Sequence, residues 1–139
     1  MSILQIILIV IGAVILVILL SAAFTSAEYT VQKEIIIDKP LPAVFDYVKF
    51  SINQNYYNKW WMMDPNARKE YSGTDAEPGF IMKWESDNKQ AGKGEQEIKK
   101  VVENKRVDYE IRFIKPFQGV AASFMETNAV PGNQTRVVW

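Results

Sequence analysis

The sequence predicts an α+β fold: an antiparallel sheet with two short helices after its first strand, preceded by one N-terminal transmembrane helix. Three observations predict it. No charged side chain precedes Glu28, and all 16 basic and 16 acidic residues fall between Glu28 and Arg136. One helical apolar pattern follows the first extended run. From there onward, short alternating runs are separated by Gly, Pro, Asn and Asp, as in a meander of strands.

The apolar run from Ile3 to Phe24 is broken only by Gln5, Gly12 and Ser21. As a helix it spans about 33 Å, against a hydrocarbon core of about 30 Å. A secretory signal would have a basic start and a shorter apolar stretch. No Lys or Arg precedes this run, so a retained anchor fits better, although Thr25-Ser26-Ala27 resembles a cleavage site. A buried core helix is disfavoured, because the residues left over cannot cover a helix apolar all round. Lys33 and Lys39 flank the run, but whole domains cross membranes regardless of such charges, so the side on which the domain sits is not set. No Gly-x-x-x-Gly pairs two such helices, and the sequence fixes no oligomeric state.

Tyr29 to Ile37 reads as the first strand, with Val31, Ile35 and Ile37 on one face. Pro40 and Pro42 suit a first helical turn, and Leu41, Val44, Phe45 and Val48 then form the apolar stripe of an amphipathic helix. A second helix over Asn53 to Trp60 would bring Tyr56, Tyr57, Trp60 and Trp61 together as an aromatic cluster. Strands are expected at 68–72, 80–85, 91–102, 106–114, 120–128 and 135–139. Phe80, Met82 and Trp84 alternate with Ile81, Lys83 and Glu85, and Val107, Tyr109, Ile111 and Phe113 alternate with Asp108, Glu110 and Arg112. One face of the sheet is therefore apolar and aromatic, and the other wet. Gly92 and Gly94 inside one strand fit a bend or bulge better than a phosphate loop, since no helix start follows them.

The 139-residue chain holds no His and no Cys. That removes Ser-His-Asp and Cys-His nucleophiles, disulfides, haem ligation through His or Cys and the usual zinc and iron–sulfur sites. No metal or cofactor is expected. Equal numbers of acids and bases leave no electrostatic footprint for nucleic acid. Glu95 and Glu97 share a strand face with Lys93 and Lys99, which reads as a solvated ion-pair ladder rather than an acid–base pair. Glu126 shares a face with Phe124 and Ala122, and is either a strand-end residue in water or a functional acid.

The order of elements and the segments Ile-Ile-Ile-Asp-Lys-Pro (35–40), Pro-Ala-Val-Phe-Asp-Tyr-Val (42–48), Asn-Lys-Trp-Trp (58–61), Pro-Gly-Phe-Ile-Met-Lys-Trp (78–84), Gly-Lys-Gly-Glu-Gln-Glu-Ile (92–98), Val-Asp-Tyr-Glu-Ile-Arg-Phe (107–113) and Thr-Arg-Val-Val-Trp (135–139) resemble the START/Bet v1-like (SRPBCC) superfamily. The branch they resemble is its bacterial polyketide cyclase/dehydrase and lipid-transport branch. The resemblance covers residues from about 29 to 139. It implies a helix-grip fold, in which a curved antiparallel sheet holds a long C-terminal helix and the space between them takes apolar ligands. That helix has no counterpart before Trp139, so the resemblance implies a domain over 28–139 truncated at its C-terminus, behind an anchor over 1–27.

By the same resemblance the cavity would be lined by Phe80, Met82, Trp84, Tyr109, Ile111, Phe113 and Phe124, with Trp60 and Trp61 near its mouth. Ordinary core packing is the alternative for any one of them. Three functions follow as expectations. The first is a membrane-anchored domain binding an apolar small molecule or lipid, without catalysis. The second is a cyclase-like enzyme using Tyr109 or Glu126 as acid or base. The third is a protein-interaction module resembling the Hsp90-activator branch.

Overall fold

The structure, a computed structural model, describes residues 2–24 and 30–139. Thr25-Ser26-Ala27 and the expected strand start at Tyr29 lie outside the described residues. The described chain forms two compact units, the first over Met1–Val31 and the second over Gln32–Trp139.

Among the described residues, the first unit holds one helix, α1 (Ile3–Phe24). Its stretch Ile3–Ala22 has a mean hydropathy of 3.4 and is long and apolar enough to cross a bilayer. Its polar side chains bond to the helix itself: the Ser2 amide donates to Gln5 Oε1 at 2.8 Å, and Ser21 Oγ donates to the Ile18 carbonyl at 2.8 Å. Such internal satisfaction is what a helix in lipid requires.

The second unit opens with β1 (Glu34–Ile37) and α2 (Leu41–Val48). Pro40 is extended and caps α2, and Val44, Phe45 and Val48 are buried on the stripe expected from their spacing. A 3₁₀ turn (Ser51–Asn53), α3 (Gln54–Tyr57) and α4 (Lys59–Met62) follow. The single helix expected over Asn53 to Trp60 is thus broken. The cause is Asn58, which adopts an extended conformation (φ −85°, ψ 112°) and accepts from the Trp60 amide at 3.0 Å. Asn stabilises a helix start better than a helix interior, so the chain ends one helix and caps another. The Asp75 carboxylate accepts from the amides of Ser51 and Ile52 at 2.8 and 3.0 Å, which ties the start of this helical segment to the loop after β2.

The strands are β2 (Arg68–Ser72), β3 (Ile81–Glu85), β4 (Lys93–Val102), β5 (Arg106–Lys115), β6 (Gly119–Val130) and β7 (Gln134–Val138). They form one antiparallel seven-stranded sheet in the order β1-β7-β6-β5-β4-β3-β2, so the first strand pairs with the last and the rest is a plain meander. The first strand is shorter than expected, although Lys33 and Trp139 still exchange backbone bonds at 2.7 and 2.8 Å just beyond it. The core lies between the helices and one face of the sheet, built from Phe45, Trp61, Phe80, Met82, Trp84, Ile98, Val107 and Tyr109.

Gly94 marks where the sheet bends. The β4–β5 register shifts between Lys93 and Gly94, and Gly94 lies opposite Trp84 on β3. A methyl group on Gly94 would come within 2.5 Å of both the Arg112 carbonyl and the Trp84 ring. The irregularity expected inside the strand is present at Gly94, which is needed for space rather than for dihedral freedom, whereas Gly92 lies before β4, at a positive φ of 63°. We therefore expect Gly94→Ala to cost about 1–3 kcal/mol through overpacking, measured by urea unfolding, with a change in Trp fluorescence of the folded state.

Candidate functional site

The alternation of β3, β4 and β5 delivers Trp84, Gly94, Gln96, Ile111 and Phe113 to the concave face. Trp84 lies at the centre, with its indole Nε1–H donating to the Ala91 carbonyl at 2.9 Å. Trp61 meets it edge to face with ring centroids 5.2 Å apart, and Phe113 does so at 6.2 Å. Trp60 reaches Phe113 at 6.3 Å, and Phe117, in the turn after β5, continues the row at 5.6 Å from Phe113. Edge-to-face contacts at these separations are the favourable geometry for aromatic rings.

Polar bonds hold this aromatic row in place. Gln54 Oε1 accepts from Trp61 Nε1 at 3.0 Å and from Asn58 Nδ2 at 3.1 Å, all three groups being buried. The ammonium of Lys69 on edge strand β2 donates to the Trp61 carbonyl at 3.0 Å, pinning α4 against the sheet. Two neighbouring cavities open on this face. One, of about 230 Å³, is lined by Asn58, Trp60, Trp61, Trp84, Gln96, Ile111, Phe113 and Trp139. The other, of about 360 Å³, lies between β1, α2, α3, β6 and β7, with Ile35, Ile37, Tyr47, Tyr57, Met125, Val137 and Trp139 among its walls. Trp139 borders both. Both are lined mainly by apolar side chains, and the larger is of the size that holds a small ligand.

Of the residues expected to line a cavity, Trp60, Trp61, Trp84, Ile111 and Phe113 do so. Phe80, Met82 and Tyr109 face the same way but are closed into the core beneath the helices. Phe80 stacks on Tyr71, with ring planes 7° apart. The inward placement of Phe124 is corrected. It pairs with Asp108 on the wet face, and the Arg106 guanidinium sits 4.0 Å over its ring. On β6 the inward positions are instead Ser123, Met125 and Thr127, opposite Tyr109, Val107 and Lys105 of the neighbouring chain segment. Nor do the four aromatic residues of 56–61 form one cluster. Tyr56 is exposed, Tyr57 packs on Tyr47 at 6.0 Å, and only Trp60 and Trp61 join the row.

Glu126 shares that wet face and is half-buried there in an ion pair with Arg106. It accepts from Asn128 at 3.0 Å and from Arg106 at 3.2 Å, and these bonds, the one from Asn128 foremost, hold its carboxyl below the usual glutamate range. The Tyr109 hydroxyl is buried and makes no hydrogen bond of good geometry, although Ser51 and Gln54 stand beside it; burial pushes its ionisation up. On the wet face, Arg112 gathers Glu95, Glu97 and Glu110 at 2.6, 2.7 and 2.5 Å, while Lys83 and Lys99 complete the ladder. The ladder expected of Glu95, Glu97 and Lys99 is present, but Lys93 pairs with Glu85 instead, and Arg112 at its centre was not anticipated. Gln96 and Trp139 were also missed. The period of β4 places Gln96 in phase with Gly94 and Ile98, which is the signal that marks it as inward.

No family model matches the chain, and no curated protein does either. Among solved structures, the chain is similar to the Mll3558 protein from Rhizobium loti, at 16% identity over 79% of this chain and 74% of that one, with a TM-score of 0.56. It is similar to Ara h 8.0201 at 16% identity, 79% and 74% coverage and a TM-score of 0.54. It is also similar to the Aha1 dimer from Colwellia psychrerythraea, at 20% identity, 80% and 73% coverage and a TM-score of 0.53. At these identities the likeness is one of fold.

Two outcomes follow from the polar groups. Tyr109→Phe removes a buried hydroxyl that makes no hydrogen bond of good geometry, so stability should hold or rise by up to about 1 kcal/mol; any clear loss of stability in urea unfolding would reveal a bond to Ser51 or Gln54. Bonds from Arg112 and Lys99 lower the Glu97 pKa from its ordinary 4.5. A carboxylate lowered on folding contributes stability that is present above its unfolded pKa and lost as pH falls through the folded one. Melting temperatures followed downward from pH 5 should accordingly drop less steeply in Glu97→Gln than in the parent.

Proposed function

We propose that this chain, Bet v1-like in fold, is a membrane-anchored domain that binds an apolar small molecule or a lipid on its concave face. The observation that carries this reading is the pair of apolar cavities that meet at Trp139, one with an aromatic wall of Trp60, Trp84 and Phe113. Pockets for apolar ligands combine such walls with a few polar groups that orient the ligand. Here Asn58 and Gln96 are the polar groups on the wall, and the Gln96 Nε2 donor is buried without a partner. Helix α1 supports the anchoring half of the reading, because a bilayer is both a place to sit and a source of ligand.

A second reading makes the chain an enzyme with Tyr109 or Glu126 as acid or base. The geometry gives it less support. Burial raises the ionisation of the phenol, and bonds from Asn128 and Arg106 favour the ionised carboxylate on the face away from the cavities. A third reading, as a protein-interaction module, has only the likeness in fold to the Aha1 dimer behind it.

Full-length protein extracted in mild detergent should carry an apolar species visible by native mass spectrometry. Phe113→Asp, which sets a charge in the cavity wall, should run empty at the same protein load. Spectra of the parent that stay empty across several mild detergents would overturn the binding reading.

A further inference from the structure

Among the described residues, the buried side-chain atoms Ser51 Oγ, Gln96 Nε2, Tyr109 Oη and Thr127 Oγ1 make no hydrogen bond of good geometry. Gln96 is the one that lines the smaller cavity. It is 6% exposed and faces inward on β4, paired with Met82 of β3 and Ile111 of β5, with Gly94 and Ile98 before and after it on the same face. None of these neighbours carries a side-chain oxygen.

The other polar groups of this wall are engaged. Asn58 Oδ1 accepts from the Trp60 amide at 3.0 Å, and Asn58 Nδ2 donates to Gln54 Oε1 at 3.1 Å. The indole N–H of Trp61 donates to Gln54 Oε1, and that of Trp84 to the Ala91 carbonyl. Trp60 and Trp139 are 38% and 45% exposed, so water reaches them. A buried donor left unpaired carries its full desolvation cost in the free protein. The Gln96 amide is therefore the group in this wall that a bound molecule can satisfy.

Trp139 also borders the larger cavity, whose wall has a different character. Ile35, Ile37, Val48 and Val137 make it largely aliphatic, the Tyr57 hydroxyl already donates to Met125 Sδ at 3.7 Å, and Lys33 and Glu34 are exposed. At about 230 Å³ the smaller cavity falls below the size that holds a whole ligand, whereas the larger, at about 360 Å³, falls within it.

We propose that the ligand is a single-chain molecule whose neutral carbonyl oxygen accepts from Gln96 Nε2 in the smaller cavity, while its apolar tail runs past Trp139 into the larger one. Rotation about the last torsion of the glutamine, which is soft, turns the N–H toward that oxygen. No charged side chain lines the smaller cavity among the described residues, so the oxygen belongs to an uncharged group: a ketone, an ester or a protonated carboxyl. Such an orientation rests on the ligand-binding reading, to which it adds an acceptor and a direction.

All four tryptophans of the chain line this cavity, so their emission reports on it. Full-length protein in mild detergent would be titrated with methyl nonyl ketone and with its isostere carrying C=CH2 in place of C=O, in the parent and in Gln96→Leu. The ratio of the two dissociation constants, compared between the proteins, cancels the unequal partitioning of the probes into micelles. It should favour the ketone about tenfold more in the parent than in Gln96→Leu. An unchanged ratio overturns the Gln96 contact and leaves apolar binding standing. Emission that responds to neither probe in the parent overturns the contact and the ligand-binding reading together. Without ligand, Gln96→Leu should unfold in urea at the parent midpoint or above it, since leucine has no donor to satisfy; a clearly lower midpoint means that the protein already holds the amide, and also overturns the contact. Ile35→Asp, which sets a charge in the larger cavity, should weaken methyl nonyl ketone several-fold, and an unchanged affinity there overturns the direction of the tail.

Discussion

The packing of Trp84 across Gly94 is the constraint on which the concave face depends. An indole can lie over the neighbouring strand only where that strand has no side chain, and a methyl at Gly94 would meet the ring at 2.5 Å. With Trp84 laid down there and held by its bond to the Ala91 carbonyl, its edge and face are fixed for Trp61 and Phe113. Those two in turn set where α4 sits and where the aromatic row leaves the sheet. The wall of the smaller cavity follows from one missing methyl group.

The two faces of the sheet solve different problems. On the wet face, carboxylates from β4, β5 and β6 are matched by Arg112, Arg106, Lys83 and Lys99, which keeps a row of charges compatible with close strand spacing. On the concave face the polar groups are bonded to one another, as in Gln54 with Asn58 and Trp61, or left without a partner, as in Gln96. A buried donor without a partner is costly in a packed core. Beside a cavity, the same donor is one that a bound molecule can satisfy.

Much of the fold was legible because period and punctuation agreed. The stripe Val44, Phe45 and Val48 and the alternation of β3 and β5 each placed their residues on the correct face. The sequence points Phe124 inward only because it is aromatic, whereas on β6 the inward positions carry Ser123, Met125 and Thr127, which attract no notice in a sequence. The helix break at Asn58 was missed because an apolar spacing ran through a residue whose side chain prefers to cap. The larger cavity was not legible at all, since its wall joins β1, α2, α3, β6 and β7, and no local pattern records which of them meet.

The proposed apolar ligand occupies the space bounded by Trp60, Trp84, Phe113 and Trp139. The most direct test of that placement is photolabelling of the full-length protein in phosphatidylcholine vesicles with a fatty acid carrying a diazirine, followed by peptide mapping of the adducts. Adducts on the concave-face residues of the segments 58–62, 81–85 and 107–113, reduced by excess unlabelled fatty acid, are the predicted result. Adducts confined to residues 3–24, with none on the sheet, would contradict it.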